Sequence, residues 1–217
     1  MPTGLPKTGR ADLADLHRLT PDSEKIAELK LLTRDQDALI QMQTRLVNQL
    51  TACLKAYYPV ALELFAKLQQ KSTLLFLQTY PTPQAAMAAS AEQIQEVLRR
   101  AKHSNPTIVA AEIVERVHQP HLQADAVTTR TKSRLMGAGS RQLLPLLAQI
   151  AQYNKEIHTL FLTHEDHEIF ASLPRAGKRL APRRLSEIGD DRTRYQDESL
   201  LQALGGKIGR ASCRERV

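Results

Sequence analysis

The stretch from Arg141 to His164, RQLLPLLAQIAQYNKEIHTLFLTH, decides the fold class. Leu143, Leu147, Ile150, Asn154, Ile157, Phe161 and His164 follow one another at alternating steps of four and three residues. That alternation keeps every one of them on a single face of an α-helix, as in a coiled-coil seam. Leu146, Tyr153 and Leu160 flank the seam. Pro145 would sit in the first turn, where the missing N–H costs nothing. A polar Asn154 on the seam would fix the register of a partner helix at some cost in stability.

Working upstream, a second pattern of this kind begins after Thr20-Pro21, a hydroxyl cap followed by a residue suited to a first turn. Its apolar positions are Ile26, Leu29 and Leu32, then Leu39, Met42, Leu46, Leu50, Cys53 and Tyr57, with no Gly or Pro before Pro59. Two long single-seam helices separated in sequence pair most simply with each other, antiparallel, or across a dimer. Between them the sequence predicts a small helical insert. Ser72 to Tyr80 is short and apolar and is stopped by Pro81-Thr82-Pro83. Ser90 with Gln93 forms a capping box for Ala91 to Lys102, and Ser104 to Val117 follows. The stretch from Gln119 to Ser140 contains Thr and Gly and reads as a basic linker, with Arg130, Lys132 and Arg134. No segment alternates as a strand would. The expectation is an all-α chain: a first coiled-coil helix over 20–68, an insert over 72–119, a linker over 120–140 and a second coiled-coil helix over 141–167.

Composition agrees. The 217 residues suffice for one or two domains with a core. Aromatic content of 4% without Trp requires an aliphatic core, which favours helices. The net charge of +7 suits a polyanionic partner such as nucleic acid. Cys53 and Cys213 are the only cysteines, so neither a disulfide framework nor a thiolate zinc site is expected. No apolar run approaches the roughly 18 residues of a membrane span, and MPTGLPKTGR lacks a secretion-signal core, so the expected compartment is the cytoplasm. The last ten residues, Ile208 to Val217 (IGRASCRERV), back-translate to ATC GGA AGA GCG TCG TGT AGG GAA AGA GTG, which resembles a sequencing-library adapter. They read as an artefact to be set aside like a fusion scar, with the natural chain cut near Lys207. Without them the charge is about +5.

Three groups of residues carry candidate chemistry. His164 with His167, and His118 with His121, place imidazoles three apart, as a metal site would. Both pairs sit at expected helix ends, where His caps or meets the helix dipole, and no further ligands are identified. Near the start, Asp12 and Asp15 share a helix face, which suits a divalent metal or merely a first-turn dipole. The third group is Phe170 to Asp191, FASLPRAGKRLAPRRLSEIGDD. Leu173-Pro174-Arg175-Ala176-Gly177 makes a tight turn between helical stretches. Backbone N–H groups of the following helix could meet a phosphate oxygen, with Lys178, Arg179, Arg183 and Arg184 adding the salt-dependent attraction. A plain helical hairpin with a solvated basic face fits the same residues.

In order along the chain, these pieces resemble one family, the bacterial insertion-sequence transposases of the one-ten (DEDD) type. Lys7, Thr8 and Asp12 resemble that family's K-T-D-x-x-D-A motif, with Gly9 in place of the first Asp and Leu13 in place of the Ala. Glu28-Leu29-Lys30-Leu31-Leu32-Thr33-Arg34 is similar to its E-L-R-x-L-T-R, and Tyr80-Pro81-Thr82-Pro83 to its Y-P-T-P. Ser172 to Gly177, followed by Leu185-Ser186-Glu187-Ile188-Gly189-Asp190, is similar to S-L-P-G-x-G…L-x-E-I-G-D. The resemblance implies a RuvC-like nuclease domain, here a remnant over 1–19, and a coiled-coil linker. It also implies the start of a C-terminal, helix-hairpin-helix-like transposase domain over 168–207.

For full-length relatives the resemblance implies DNA transposition with a structured guide RNA, magnesium or a similar divalent metal on the nuclease acids, and a serine nucleophile. In this chain it leaves Asp12 as a remnant metal-binding acid without a partner at Gly9, so no intact metal site and no bound cofactor are expected. Ser186, Ser199 and Ser212 do not match the family's serine context. The expectation is therefore a catalytically incomplete transposase fragment that does not cleave DNA alone. It would bind DNA through Pro174, Arg175, Gly177, Lys178, Arg179, Arg183 and Arg184, and form homo-oligomers through the coiled coil. Two rivals are a helical scaffold for a protein partner and a helix-hairpin-helix module of a repair protein. Arg175 at the hairpin's glycine position would have to hold a backbone conformation that only Gly holds cheaply.

Overall fold

A computed structural model describes residues 20–195 and Ser199. Among these residues all regular structure is helical. The α-helices are α1 (Glu24–Tyr57), α2 (Lys71–Thr79), α3 (Pro83–Met87), α4 (Ala91–Arg100), α5 (Pro106–His118), α6 (Ala126–Leu162), α7 (His167–Ser172) and α8 (Gly177–Ile188). No described helix is long and apolar enough to cross a membrane. The chain divides into two compact units, Arg34–Glu156 and the segments on either side of it.

The helix termini follow local chemistry. Helix α1 starts one turn later than Thr20-Pro21 suggests. Thr20 O and the Asp22 carboxylate are both held by Arg194, so Ser23 becomes the cap, its Oγ accepting from Ile26 N at 3.4 Å. At its other end Pro59 disfavours a helical Tyr58, and a short 3-10 turn, Pro59–Leu62, follows. The helix therefore stops at Tyr57 and does not continue toward residue 68. The Ser90–Gln93 capping box is present in both directions. Pro81-Thr82-Pro83 ends α2 and also begins α3, whose first turn is capped by Thr82 Oγ1 accepting from Ala85 N at 3.1 Å.

The linker expected over 120–140 is irregular only over 120–125; from Ala126 onward it is the first part of α6. Asp125 caps this helix, its Oδ1 accepting from the N–H groups of Val127 (2.9 Å) and Thr128 (3.0 Å). Pro145 consequently lies deep inside the helix and not in its first turn. Gly137 and Gly139, ordinarily helix-weakening, are tolerated because packing overrides propensity. A Cβ on Gly139 would come within 2.8 Å of Leu50 Cδ2, so the missing side chain is what admits Leu50.

Within the 34–156 unit, α1 and α6 run antiparallel. Gln36 Nε2 donates to Asn154 Oδ1 at 2.8 Å, Leu50 abuts Gly139, and Cys53 Sγ donates to Lys132 O at 3.3 Å. One index rises as the other falls. Leu50, Leu54, Tyr57, Tyr58, Met136 and Leu143 join Leu74, Phe76, Leu77, Ile94, Leu98 and Ile113 of the insert in one core. Burying each large apolar side chain contributes about 1.5–3 kcal/mol. The α1 seam differs in detail from the sequence reading. Its inward face is Gln36, Leu46, Val47, Leu50, Cys53, Leu54 and Tyr57, while Met42 is 51% exposed. Asn154 lies on the exposed side of the α6 seam, yet it satisfies the buried Gln36.

In the other unit, Ile26, Leu29, Ile157, Phe161, Phe170, Ala176, Ala181 and Leu185 are buried. This apolar set supports the α7–α8 hairpin.

Candidate nucleic-acid interface

The hairpin is a short helix, a four-residue turn from Leu173 to Ala176, and the amphipathic helix α8. Its inner face is anchored by Phe170, Ala176, Ala181 and Leu185, each nearly inaccessible. Ala176 N donates to Leu173 O at 3.0 Å, and Arg184 Nη1 reaches Pro174 O at 3.5 Å, closing the turn from both sides. The outer face presents Arg175, Lys178 and Arg179 as exposed cations, with Arg183 and Arg184 half-buried beside them. From Leu173 to Arg184 there are five cations and no carboxylate. No side chain caps the N-terminus of α8, and a Cβ added to Gly177 would meet nothing within 4 Å, so the turn is open to a ligand's approach.

Arg175 has φ of 60°. This left-handed conformation is the one expected where Arg stands in place of Gly, and it costs roughly 1–2 kcal/mol for a residue with a Cβ. Replacing Arg175→Gly should therefore raise stability by about 1 kcal/mol. The same change removes one cation and should weaken polyanion binding. Urea unfolding and duplex binding should move in opposite senses, and a parallel loss of both would contradict this account.

Leu185 to Asp190 does something the sequence reading did not foresee: it fastens the hairpin to the start of α1. Leu185 is fully buried, and the Ser186 hydroxyl lies 3.3 Å from that of Thr33. Glu187 Oε2 stands 3.9 Å from Lys30 Nζ, and Asp190 Oδ2 accepts from Ser23 N at 3.2 Å. The Ser23 hydroxyl and backbone hydrogen bonds hold the Asp190 carboxyl below the usual carboxylate range. Gly189 has φ of 79° and lies against Asp22, whose carboxylate is paired with Arg194 at 2.8 Å. Only the matching side-chain periods of two segments about 150 residues apart could have hinted at these contacts. Ser186, buried and donating to Arg183 O at 2.9 Å, is structural and not poised as a nucleophile.

The histidine pairs serve as local caps. His118 Nδ1 meets Val114 O at 2.7 Å, and His121 Nδ1 meets Gln119 O at 2.8 Å. His164 Nδ1 accepts from Asp166 N at 3.1 Å, and His167 Nδ1 meets His164 O at 2.7 Å. Among the described residues no three His, Cys, Asp or Glu side chains converge as a metal site. Gly9, Asp12 and Ser212 lie outside the described residues.

Comparison with known proteins accounts for this set of motifs. A family model described as Transposase, of the DEDD, IS110 type, matches residues 5–59. The "Mini-circle putative transposase for IS117" of Streptomyces coelicolor is 29% identical over 95% of this chain and 51% of its own length. The chain is thus similar to insertion-sequence transposases of the IS110 type. The IS116 44.8 kDa protein of Streptomyces clavuligerus is 29% identical over 91% of this chain and 48% of its own. For the IS900 42 kDa protein of Mycobacterium paratuberculosis the figures are 23%, 88% and 48%. The chain thus spans about half the length of the curated relatives it matches. No solved structure matches.

Two of the motifs that resemble those of IS110-type transposases act as structural joints in this chain. Within Y-P-T-P, Tyr80 packs its ring 5.2 Å from that of Phe76, Pro81 O accepts from Tyr57 Oη at 2.9 Å, and Thr82 caps α3. Within L-x-E-I-G-D, the contacts above tie α8 to α1. The hairpin turn is the motif whose polar groups remain turned outward.

Proposed function

We propose that this chain is the helical, DNA-engaging part of an IS110-type transposase, with the α7–α8 hairpin as its contact to the phosphate backbone in a helix-hairpin-helix-like manner. The observation that carries the reading is the outward cluster of Arg175, Lys178 and Arg179, with Arg183 and Arg184 beside it, on a turn stretch without carboxylates. Guanidinium groups match phosphate geometry and neutralise it with release of counterions. The antiparallel α1–α6 pair is the coiled-coil linker of the proposal, and a second copy of the chain is its partner. The family relation also suggests a structured guide RNA and, for full-length relatives, a divalent metal on the nuclease acids. Asp12 would be this chain's contribution to that metal, and the described residues supply no substitute for the site.

The test is the affinity of the whole chain for a mixed-sequence duplex between 50 and 200 mM salt. With five phosphate contacts the logarithmic slope should be about −4 to −5, a loss of several hundredfold across the range. An affinity indifferent to salt would overturn the proposal in favour of an apolar protein scaffold.

A further inference from the structure

A second cationic surface lies on α6, in the 34–156 unit and separate in sequence from the hairpin. From Ala126 to Lys155 the helix carries Arg130, Lys132, Arg134, Arg141 and Lys155 and not one carboxylate. At about 100° per residue, Arg130, Arg134, Arg141 and Lys155 fall within a sector of roughly 60°. Met136, Leu143 and Ile150, which are buried, lie on the other side of the helix. All four stripe residues are exposed, and none is ion-paired among the described residues.

We propose that this stripe is a second binding surface for the phosphate backbone of a nucleic acid. The 26 residues from Arg130 to Lys155 extend about 37 Å along the helix, close to the roughly 34–36 Å of one duplex turn. Three of the four cations are Arg, whose planar fork suits phosphate oxygens. The exposed apolar neighbours, Val127 and Leu135, are isolated side chains and do not form the continuous apolar face that a membrane-surface helix buries. The stripe lies along one continuous helix, in which Pro145 falls between Arg141 and Lys155. Duplex DNA and folded RNA offer the same phosphate chemistry, and separate arms of one experiment distinguish them.

The inference stands apart from the hairpin reading. Its test is the triple change Arg130→Glu, Arg134→Glu, Arg141→Glu in the whole chain, with duplex DNA and a folded RNA of equal length as probes. Each variant is made in the native chain and again in one carrying Lys178→Glu and Arg179→Glu. The proposal expects at least about tenfold weaker binding to one or both nucleic acids and a salt exponent smaller by about three. That loss should appear on both backgrounds. A loss from the stripe alone, with none from the hairpin, would remove the hairpin reading and leave this one standing. Unchanged affinity for both probes would overturn it, as would a native chain that binds neither. Should circular dichroism reveal that the Glu triple loses helicity, the same positions changed to Gln carry the test with the same expected direction.

Discussion

Gly189→Val should destabilise the unit that holds the hairpin by about 3–5 kcal/mol, and Gly189→Ala should cost nearly as much. Two effects add. Gly189 has φ of 79° with ψ of −177°, a region essentially reserved for glycine and costing about 1–3 kcal/mol for any other residue. A Cβ there would also come within 2.5 Å of Asp22 Oδ1 and 3.2 Å of Arg194 Nη1. To make room, the Asp22–Arg194 pair must open, and both side chains are more than four-fifths buried. Breaking that pair removes the clasp on Thr20 O as well. Since the offending atom is Cβ itself, the larger valine adds little beyond alanine. Urea unfolding followed by helical circular dichroism measures the effect, and a cost below about 1 kcal/mol for both variants would contradict the strained-glycine argument.

The second large effect falls on binding. Reversing Lys178→Glu together with Arg179→Glu should weaken duplex binding by about 100-fold near 100 mM salt, since each charge-assisted contact contributes roughly 1.5 kcal/mol. The salt exponent should fall by about two. Both residues are exposed, and the hairpin is held by Phe170, Ala176, Ala181 and Leu185, so the urea midpoint should stay within about 0.5 kcal/mol of the parent. A stability loss matching the binding loss would instead make these cations structural. Arg175→Gly provides the complementary case, with stability and affinity moving apart.

How much of this was legible in the sequence depended on whether local or tertiary forces set the conformation. The Arg141–His164 seam was legible because seven positions at three-four spacing admit only a helix, and Ser90–Gln93 because a capping box is a local device. The hairpin, including the positive φ at Arg175, was legible because the residue stood where a turn needs glycine. Ala126 to Ser140 was not. Its Thr run and two glycines speak against a helix locally, and only Leu50 filling the space over Gly139 explains why the helix continues. The expected α1 seam departs from the structure at Met42, and the buried face is broader than one stripe. Leu39 with Ile40, Leu46 with Val47 and Cys53 with Leu54 are adjacent apolar pairs in which both members are buried or half-buried, so a single seam under-describes the face. The role of Leu185 to Asp190 was hidden for a related reason: its partners, Asp22 to Thr33, lie at the far end of the sequence. The basic stripe became visible only once the supposed linker proved to be a helix.

The segment that resembles the family's C-terminal opening carries exposed cations between Pro174 and Arg184, over the buried Ala176 and Ala181, and its contacts to α1 between Leu185 and Asp190. The contacts to α1 should govern stability and the exposed cations affinity.

That division is tested most directly by photo-crosslinking the whole chain to a labelled duplex. A photo-reactive residue replaces Lys178 in one preparation and Glu96, an exposed side chain of the insert, in another. The expected result is a salt-sensitive cross-link from position 178 and only background from position 96. Background labelling at 178, or equal labelling at both, would contradict the assignment of the α7–α8 hairpin as the nucleic-acid contact.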